Sequence, residues 1–321
     1  MILQPVLARD ALRGHQFSGK YSMNSVSLRL GFLGFGEAAA HFARDFSRAG
    51  VTSIAGYSRS GAKAEPGDPA YDRAQAAGVT LVRTVGALAE RSDVILALTP
   101  GKAALPALKK ICKYLRPDQL YVDASSNSAK AMEQAAAIVG SAAKFVDAAI
   151  MAPVDLMGLK SPFVASGPHA AEFRDRMTPH GMVIRVVGSA PGDASAMKLI
   201  RSVLTKGLAA ILIESMEAAR RRNVLDEVAG DVSATFNEIP FEKIIRRYIS
   251  GTAVHCERRL HEMKECLELL HEMGSADRST RATIATLRDL IRMEMPAKFP
   301  KEPADIHPVI DAIIAARDKA A

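Results

Sequence analysis

Three small residues near the start of the chain have the spacing that most directly predicts chemistry. Gly34, Gly36 and Ala39 lie in the stretch LRLGFLGFGEAA, which passes from an apolar run into a segment with helical periodicity. Gly34 permits a tight strand-to-helix turn, Gly36 lets the backbone approach a phosphate, and Ala39 lets the helix pack against the strand. The N–H groups at the start of such a helix attract anions, so the turn predicts a site for the pyrophosphate of a dinucleotide. The residues expected to form this site are Gly34, Phe35, Gly36, Glu37 and Ala38.

The end of the second predicted strand narrows the identity of the dinucleotide. In folds of this kind an acidic residue at that point hydrogen-bonds the ribose of NAD. Ser58, Arg59 and Ser60 stand there instead, and a cation with two hydroxyls suits the 2′-phosphate of NADP. We therefore predict NADP as the cofactor, with NAD as the alternative. A turn that binds no ligand, followed by an ordinary exposed Arg59, is the competing interpretation of the two segments.

Two further positions carry groups that could act on a substrate. Lys198 lies near the start of a long predicted helix, and a lysine buried against a cofactor can protonate the oxygen of a carbonyl that receives hydride. Ser125 follows the fifth predicted strand, at the carboxyl edge of the sheet where ligands bind in this class of fold. From spacing alone, a solvated or salt-bridged side chain is the commoner role for a lysine such as Lys198, and Ser128 in the same loop is a candidate cap of the next helix.

The histidines and cysteines between residues 255 and 271 are candidate metal ligands by residue type. On a continuous helix, His255 and Cys266 share a face but lie roughly 16 Å apart along the axis, too far to bind one ion. We therefore predict no metal site. His255 and Arg259 also share a face, because they are four residues apart, and are candidates for contact with an anionic substrate. The alternative is that both are polar surface residues.

Composition excludes several classes of partner. The chain has 321 residues, of which 48% are hydrophobic and 24% charged, as in an ordinary soluble protein of about two domains. We predict no membrane partner, because no apolar run reaches the roughly 18 residues that a membrane span needs. The net charge of +7 is spread along a chain with no Trp, so we predict no nucleic-acid partner. Three cysteines give no disulfide framework, which favours a reducing, cytoplasmic location.

These residues must be positioned by two kinds of structure. Short β-rich runs alternate with helical segments up to about residue 187, at positions 28–33, 52–57, 80–82, 94–98, 120–122, 145–149, 163–165 and 183–187. Helical periodicity then dominates to the end of the chain, beginning with one long helix over residues 193–222. The pattern predicts an α/β Rossmann-type nucleotide-binding domain (residues 28–190) followed by an all-α domain (residues 191–321). Residues 1–27 are an N-terminal extension, which is either a transit peptide or the product of a misassigned start upstream of Met23.

Five segments together resemble the β-hydroxyacid dehydrogenase superfamily, which includes 3-hydroxyisobutyrate and 6-phosphogluconate dehydrogenases. GFLGFGEAA at residues 31–39 is similar to the family's opening G-F-I-G-x-G-x-M-G, and SRS at 58–60 is similar to the N-R-T/S of NADP-using members. LTP at 98–100 resembles the turn that passes beside the nicotinamide ring. DASS at 123–126 resembles the family's D-x-S-[ST] substrate segment, and the stretch from Gly192 to Lys198 resembles the segment that supplies its catalytic lysine.

The resemblance implies an NADP-dependent oxidoreductase that interconverts a small hydroxy acid, or a related alcohol, with its carbonyl form. Lys198 would be the general acid or base, Ser125 would hold the substrate, and the chain would form a homodimer through its helical domain. The nicotinamide ring would lie beside Leu98, Thr99 and Pro100. One departure affects the substrate site, because the family's serine and glycines after the sixth strand are replaced here. The residues expected at that point of the substrate site are Met151, Ala152 and Pro153.

Two other functions are compatible with the same pattern. An imine reductase has a similar architecture, although such enzymes usually have Asp or Tyr in place of the lysine. A catalytically silent NADP sensor or scaffold would have the same glycine turn. The helical domain resembles one found in a short-chain subgroup, beside phosphogluconate-dehydrogenase-like nucleotide domains. True 6-phosphogluconate dehydrogenases have a much longer helical domain, which argues against decarboxylation of 6-phosphogluconate by this chain.

Overall fold

The computed structural model describes residues 28–319, so the predicted N-terminal extension, residues 1–27, lies outside the described residues. The first part of the chain forms an eight-stranded sheet in the order β3-β2-β1-β4-β5-β6-β7-β8. Neighbouring strands are parallel except for β6 and β7, which are antiparallel. The strands are β1 (Arg29–Leu33), β2 (Ser53–Tyr57), β3 (Thr80–Leu81), β4 (Val94–Ala97), β5 (Leu120–Asp123), β6 (Lys144–Ile150), β7 (Pro162–Ser166) and β8 (Val183–Gly188).

Helices connect the strands and cover both faces of the sheet, which is why the central strands are apolar on both sides. Along β4, Val94 and Leu96 join the hydrophobic cluster on one face, while Ile95 and Ala97 join the cluster on the other. The connecting helices are α1 (Glu37–Arg48), α2 (Pro69–Ala76), α3 (Val85–Glu90), α4 (Gly101–Ile111), α5 (Ala129–Val139), α6 (Val154–Met157) and α7 (Ala170–Met177). The predicted Rossmann-type architecture is confirmed.

The rest of the described chain is helical, as predicted. Its helices are α8 (Asp193–Arg221), α9 (Leu225–Glu238), α10 (Phe241–Glu272), α11 (Arg278–Arg292), α12 (Met295–Lys298) and α13 (His307–Asp318). The chain divides into two compact units between Leu199 and Ile200, within α8. The domain boundary predicted at residues 190/191 lies before α8 and stays a prediction.

Helix α10 is kinked within its length. Two helical segments meet at this kink, which lies at His255, where φ is −111° and ψ is 21°. Gly251 lies buried inside the helix and is not a helix end. The small core of this unit includes Ala253 and Cys256 of α10 and Leu287 of α11.

Helix α11 is capped from a distance by a carboxylate of α8. Glu214 accepts hydrogen bonds from the backbone N–H of Ser279 (2.7 Å), the N–H of Thr280 (2.8 Å) and the Thr280 hydroxyl (2.8 Å). Burial raises the pKa of Glu214, but these hydrogen bonds to the ionised form outweigh burial, so the pKa lies below its usual range. The first turn of α11 therefore has an anionic partner within its own unit. No helix among residues 28–319 is long and apolar enough to cross a membrane.

Candidate active site

The glycine turn after β1 has a geometry that only glycine fits. Gly34 has a φ of +97°, and a β-carbon placed on it would lie 2.8 Å from the carbonyl oxygen of Leu98. The N–H groups of Gly34 and Phe35 both donate to the Tyr57 carbonyl, at 2.8 and 3.0 Å. The turn is thus hydrogen-bonded to the end of β2 and lies close to Leu98, the residue after β4.

The first turn of α1 faces open space. Gly36 precedes the helix without any side-chain cap, and a β-carbon placed on it would have no other atom of residues 28–319 within 4 Å, adjacent residues apart. The helical hydrogen bonds begin with the Ala40 N–H donating to the Gly36 carbonyl at 3.1 Å. The N–H groups of Glu37, Ala38 and Ala39 therefore have no partner within the helix. This arrangement fits the pyrophosphate of a dinucleotide.

Two of the predicted turn residues have side chains that face elsewhere. The Phe35 ring is only 3% exposed and packs in the core, and Ala39 is fully buried under the turn. Phe35 can therefore contribute to a ligand site through its backbone alone, and its N–H is already bonded to Tyr57.

The segment after β2 presents the predicted cation and hydroxyls. Arg59 and Ser60 are exposed, and Ser58 is half-buried. The Ser58 hydroxyl oxygen accepts from the Gly61 N–H at 2.9 Å and lies 3.3 Å from the Ser60 hydroxyl. These bonds fix the loop and leave the Arg59 side chain at the surface, where it could pair with a phosphate.

A buried hydroxyl lies beside the glycine turn. Thr99 follows β4, and its methyl carbon is 3.0 Å from a β-carbon placed on Gly34. Its Oγ1 is buried and has no hydrogen-bond partner among the described residues. A buried polar atom without a partner is costly, so this position calls for a polar ligand group. Leu98 is half-buried, and Pro100 is exposed at the start of α4.

Ser125 is bonded within a buried network at the end of β5. Its hydroxyl donates to Asp123 Oδ1 at 2.5 Å, its N–H donates to the same oxygen at 3.0 Å, and Asn127 Nδ2 donates to its hydroxyl oxygen at 3.1 Å. Burial raises the pKa of Asp123, and the nearby Asp147 carboxylate raises it further, although the bonds from Ser125 act in the opposite direction. The sequence predicts a substrate contact for Ser125, which is buried here, whereas the hydroxyl of its neighbour Ser126 is exposed. The substrate contact of Ser125 stays a prediction.

Lys198 lies beside this loop. Its Nζ donates to the hydroxyl oxygen of Ser126 at 3.0 Å. The side chain is half-buried on the second turn of α8. The structure thus brings together Lys198 and the DASS loop, two segments that are far apart in sequence.

The start of α8 is held by a residue that sequence reasoning missed. Asp147 of β6 is fully buried and accepts four hydrogen bonds. Its Oδ2 accepts from the N–H groups of Gly192 (2.9 Å) and Ser195 (3.1 Å) and from the Ser166 hydroxyl (3.1 Å). Its Oδ1 accepts from the Ser195 hydroxyl at 2.7 Å. Asp147 therefore fixes the helix that carries Lys198. The available signal was an acidic residue inside the apolar run FVDAAI.

The three residues after β6 offer few free backbone donors. The Met151 N–H donates to the Pro162 carbonyl at 2.8 Å, and its side chain packs in the cluster that contains Ala194 and Met197. Pro153 has no N–H, and its carbonyl accepts from the Ser161 hydroxyl at 3.4 Å. The predicted substrate contacts of Met151, Ala152 and Pro153 stay predictions.

His255 and Arg259 belong to the helical unit. The Arg259 guanidinium donates to the Thr252 hydroxyl oxygen, and His255 Nε2 lies 3.7 Å from a carboxylate oxygen of Glu302. Their predicted contact with a substrate stays a prediction. Within the described part of the chain, no group of three or more His, Cys, Asp or Glu side chains is arranged to hold a metal ion.

Two family models match this chain. Residues 29–127 match a family described as NADP oxidoreductase, coenzyme F420-dependent, and residues 219–290 match a domain of unknown function, DUF1932. A curated relative from Methanothermus fervidus, described as an uncharacterized 28.5 kDa protein, is 29% identical over 240 residues, which cover 74% of this chain and 89% of the relative.

Solved structures extend the comparison to nearly the full length of other proteins. The conserved protein MTH1747, reported as structurally similar to 3-hydroxyacid dehydrogenases, is 30% identical with a TM-score of 0.56, over 84% of this chain and 99% of that one. An imine reductase from Myxococcus stipitatus in complex with NAD⁺ has a TM-score of 0.70 over 89% of this chain and 99% of its own, but only 18% identity, which shows a shared fold alone. The chain belongs to the β-hydroxyacid dehydrogenase superfamily of NAD(P)-dependent oxidoreductases.

Proposed function

We propose that this protein is an NADP-dependent dehydrogenase that interconverts a small anionic hydroxy acid and its carbonyl form. The observation that carries the proposal is the 3.0 Å hydrogen bond from Lys198 Nζ to Ser126, in the loop that follows β5. The glycine turn follows β1, and β1, β4 and β5 are parallel neighbours, so both features lie at the carboxyl edge of the sheet. Ligands of open α/β sheets bind at this edge.

The residues around the glycine turn fit a dinucleotide. The open first turn of α1 accepts the pyrophosphate, and the partnerless Thr99 hydroxyl offers a hydrogen bond to a polar group of the nicotinamide half. Arg59 pairs with the 2′-phosphate, which is the reason for proposing NADP over NAD. When bound, the cofactor supplies the hydride chemistry.

The protein's own residues would supply positioning and a proton. Lys198 donates a proton to the carbonyl oxygen in reduction and accepts it from the hydroxyl in oxidation. Ser126 holds the ammonium group, and the buried Ser125 holds the loop in place through its hydrogen bonds with Asp123 and Asn127. Asp147 does not contact the substrate in this proposal. It positions Lys198 indirectly, because it holds the start of the helix that carries the lysine.

The test is NADPH oxidation with a panel of short keto acids, aldehydes and cyclic imines. Keto acids should turn over, and Lys198→Ala should lower kcat by about 100-fold or more, as expected for loss of general acid catalysis. Lys130→Ala is the matched control, since Lys130 is exposed on α5 and should leave kcat unchanged. Full activity of the Lys198→Ala variant would contradict the proposed mechanism.

The other outcomes of the same panel distinguish the alternatives. Turnover of imines alone would favour an imine reductase, for which the structural likeness supplies only the fold. NADPH binding without turnover of any compound would favour a sensor or scaffold.

A homodimer formed through α8 is part of the proposal. In the helical unit this helix exposes several large apolar side chains, including Ile200, Val203 (76% exposed) and Ile213. An exposed apolar face of this kind favours association, and a second copy of the chain is the occupant that the resemblance implies. Sedimentation should give twice the monomer mass, and Val203→Asp should shift it towards the monomer. A monomeric wild-type protein would exclude the dimer.

A further inference from the structure

A depression of about 450 Å³ on the helical unit is lined mainly by basic side chains. The basic residues of its lining are Lys243, Arg246, Arg247, His255, Arg258 and Arg259. All six belong to α10, and the only acidic residue of the lining is Glu302. The depression therefore concentrates positive charge within one small concave surface.

Helix α10 forms this surface through two local features. The departure from helical geometry at His255 lies between the first three basic residues and the last two. Gly251 brings the walls close together, since a β-carbon placed on it would lie 3.0 Å from Glu302 Oε1 and 3.3 Å from Arg259 Nη2. A larger residue at that position would push these two side chains apart.

Most cations of the depression have no carboxylate partner in the described part of the chain. Glu302 lies 3.7 Å from His255, and Arg258 lies 3.7 Å from Glu262. Among residues 28–319, Lys243, Arg246 and Arg247 have no carboxylate within 4.0 Å. Like charges held together repel, and a concave surface strengthens their common field. An anionic ligand would relieve this repulsion.

We propose that the depression binds the phosphate group of a small organic molecule. A carboxylate carries one charge, whereas a phosphate monoester carries close to two at neutral pH and has three acceptor oxygens, which matches the excess of cations better. Arginine forks bind such oxygens in pairs. This inference goes beyond the proposed function and does not depend on it.

A neighbouring groove offers room for the rest of the molecule. Arg247, Arg258 and Arg259 also line this second depression, of about 910 Å³, whose lining includes the apolar side chains of Ile211 and Met263. A phosphate held by the arginines would thus lie next to a surface suited to carbon atoms.

The experiment is a calorimetric titration of the full-length protein with sodium phosphate, with sodium chloride at equal ionic strength in the reference. Wild type should bind phosphate, and the Arg246→Gln/Arg247→Gln variant should bind it about 10-fold more weakly or worse, since charge-assisted hydrogen bonds are lost. The matched control is Arg222→Gln/Arg288→Gln, which removes two exposed arginines of the same unit outside the depression and should bind like wild type. Both variants change exposed residues, and circular dichroism would verify that each is folded.

Three results would overturn the proposal. Equal phosphate affinity in wild type and the Arg246→Gln/Arg247→Gln variant would place the anion elsewhere. Loss of phosphate binding in Arg59→Ala instead would place it at the cofactor site. A chloride response equal to that of phosphate would show only general screening. Because binding is measured without turnover, absence of dehydrogenase activity would leave all of these outcomes readable.

Discussion

The N-termini of α1 and α8 begin with a similar backbone hydrogen bond but differ in whether a side-chain carboxylate binds their N–H groups. Each helix is preceded by a glycine, Gly36 or Gly192, whose carbonyl accepts the first helical hydrogen bond. At α8 the N–H groups of Gly192 and Ser195 point at the buried carboxylate of Asp147. At α1 no side chain of residues 28–319 caps the helix, and no atom of these residues fills the space beside Gly36.

The difference indicates which helix start is structural and which is available to a ligand. A helix N-terminus attracts an anion whether the anion belongs to the protein or to a ligand. The protein supplies its own carboxylate at the start of α8, the helix that carries Lys198. It leaves the other helix start without one, where the proposed cofactor would bring its pyrophosphate.

The substitution Gly34→Ala should have the largest effect on this comparison, because it disrupts the turn that leads into the open helix start. It places a β-carbon 2.8 Å from a backbone oxygen at a φ of +97°. We expect NADPH affinity to fall about 100-fold or more and the free energy of unfolding to fall by about 2 kcal/mol. Fluorescence titration and urea unfolding measure the two quantities. Gly50→Ala is the control, since Gly50 has a similar φ of +88° but a β-carbon placed on it would meet no atom of the described residues within 4 Å, adjacent residues apart. Equal losses in both variants would show that backbone strain alone is responsible.

The substitution Asp147→Asn should weaken the attachment of the start of α8, where the protein's own carboxylate binds the helix N–H groups. An amide lacks the charge and one of the acceptor oxygens that the buried carboxylate supplies to α8, so kcat should fall about 30-fold while the affinity for NADPH changes little. Steady-state kinetics would measure both. Ser166→Ala removes a single hydrogen bond to the same carboxylate and should cost less. A fall in NADPH affinity with unchanged kcat would contradict the separation of the two helix starts.

The substitution Arg59→Ala should sharpen the assignment of the open site. Loss of the guanidinium should weaken NADPH binding about 10-fold, since a charge-assisted contact to the 2′-phosphate is removed. NADH has no such phosphate, so its affinity should be unchanged. Equal losses for both cofactors, measured by fluorescence titration, would exclude the 2′-phosphate contact.

The smallest effect concerns Glu214, which caps α11 as Asp147 caps α8. Its pKa is lowered in the folded protein, so its stabilising contribution is present above the ordinary glutamate pKa and is lost as pH falls through the lower folded value. Glu214→Gln should therefore reduce stability at pH 7, and the difference from wild type should shrink in acid. Urea unfolding of wild type and variant, at pH 7 and at a pH below the folded pKa of Glu214, would measure this difference. A difference that stays constant with pH would show that the ionised carboxylate is not responsible.

The sequence was most informative where the governing interactions are local. The alternation of strands and helices and the glycine turn at Gly34 depend on neighbouring residues, so the Rossmann-type fold could be predicted. The antiparallel direction of β7 could not, because a short apolar run has the same pattern in either direction. Asp147 was missed because its partners on α8 lie 45 and 48 residues away in sequence. Similarly, no local signal shows that Phe35 points into the core.

The hydrogen bonds of Asp147 to residues far along the chain also determine where the chain can be truncated. A fragment that ended at residue 190 would retain every strand of the sheet and the glycine turn. It would nevertheless lack Gly192 and Ser195 and leave the fully buried carboxylate of Asp147 with Ser166 alone. Burial of a charge with so few partners is strongly unfavourable. The nucleotide-binding part should therefore be expressible by itself only if it includes the first turn of the following helix.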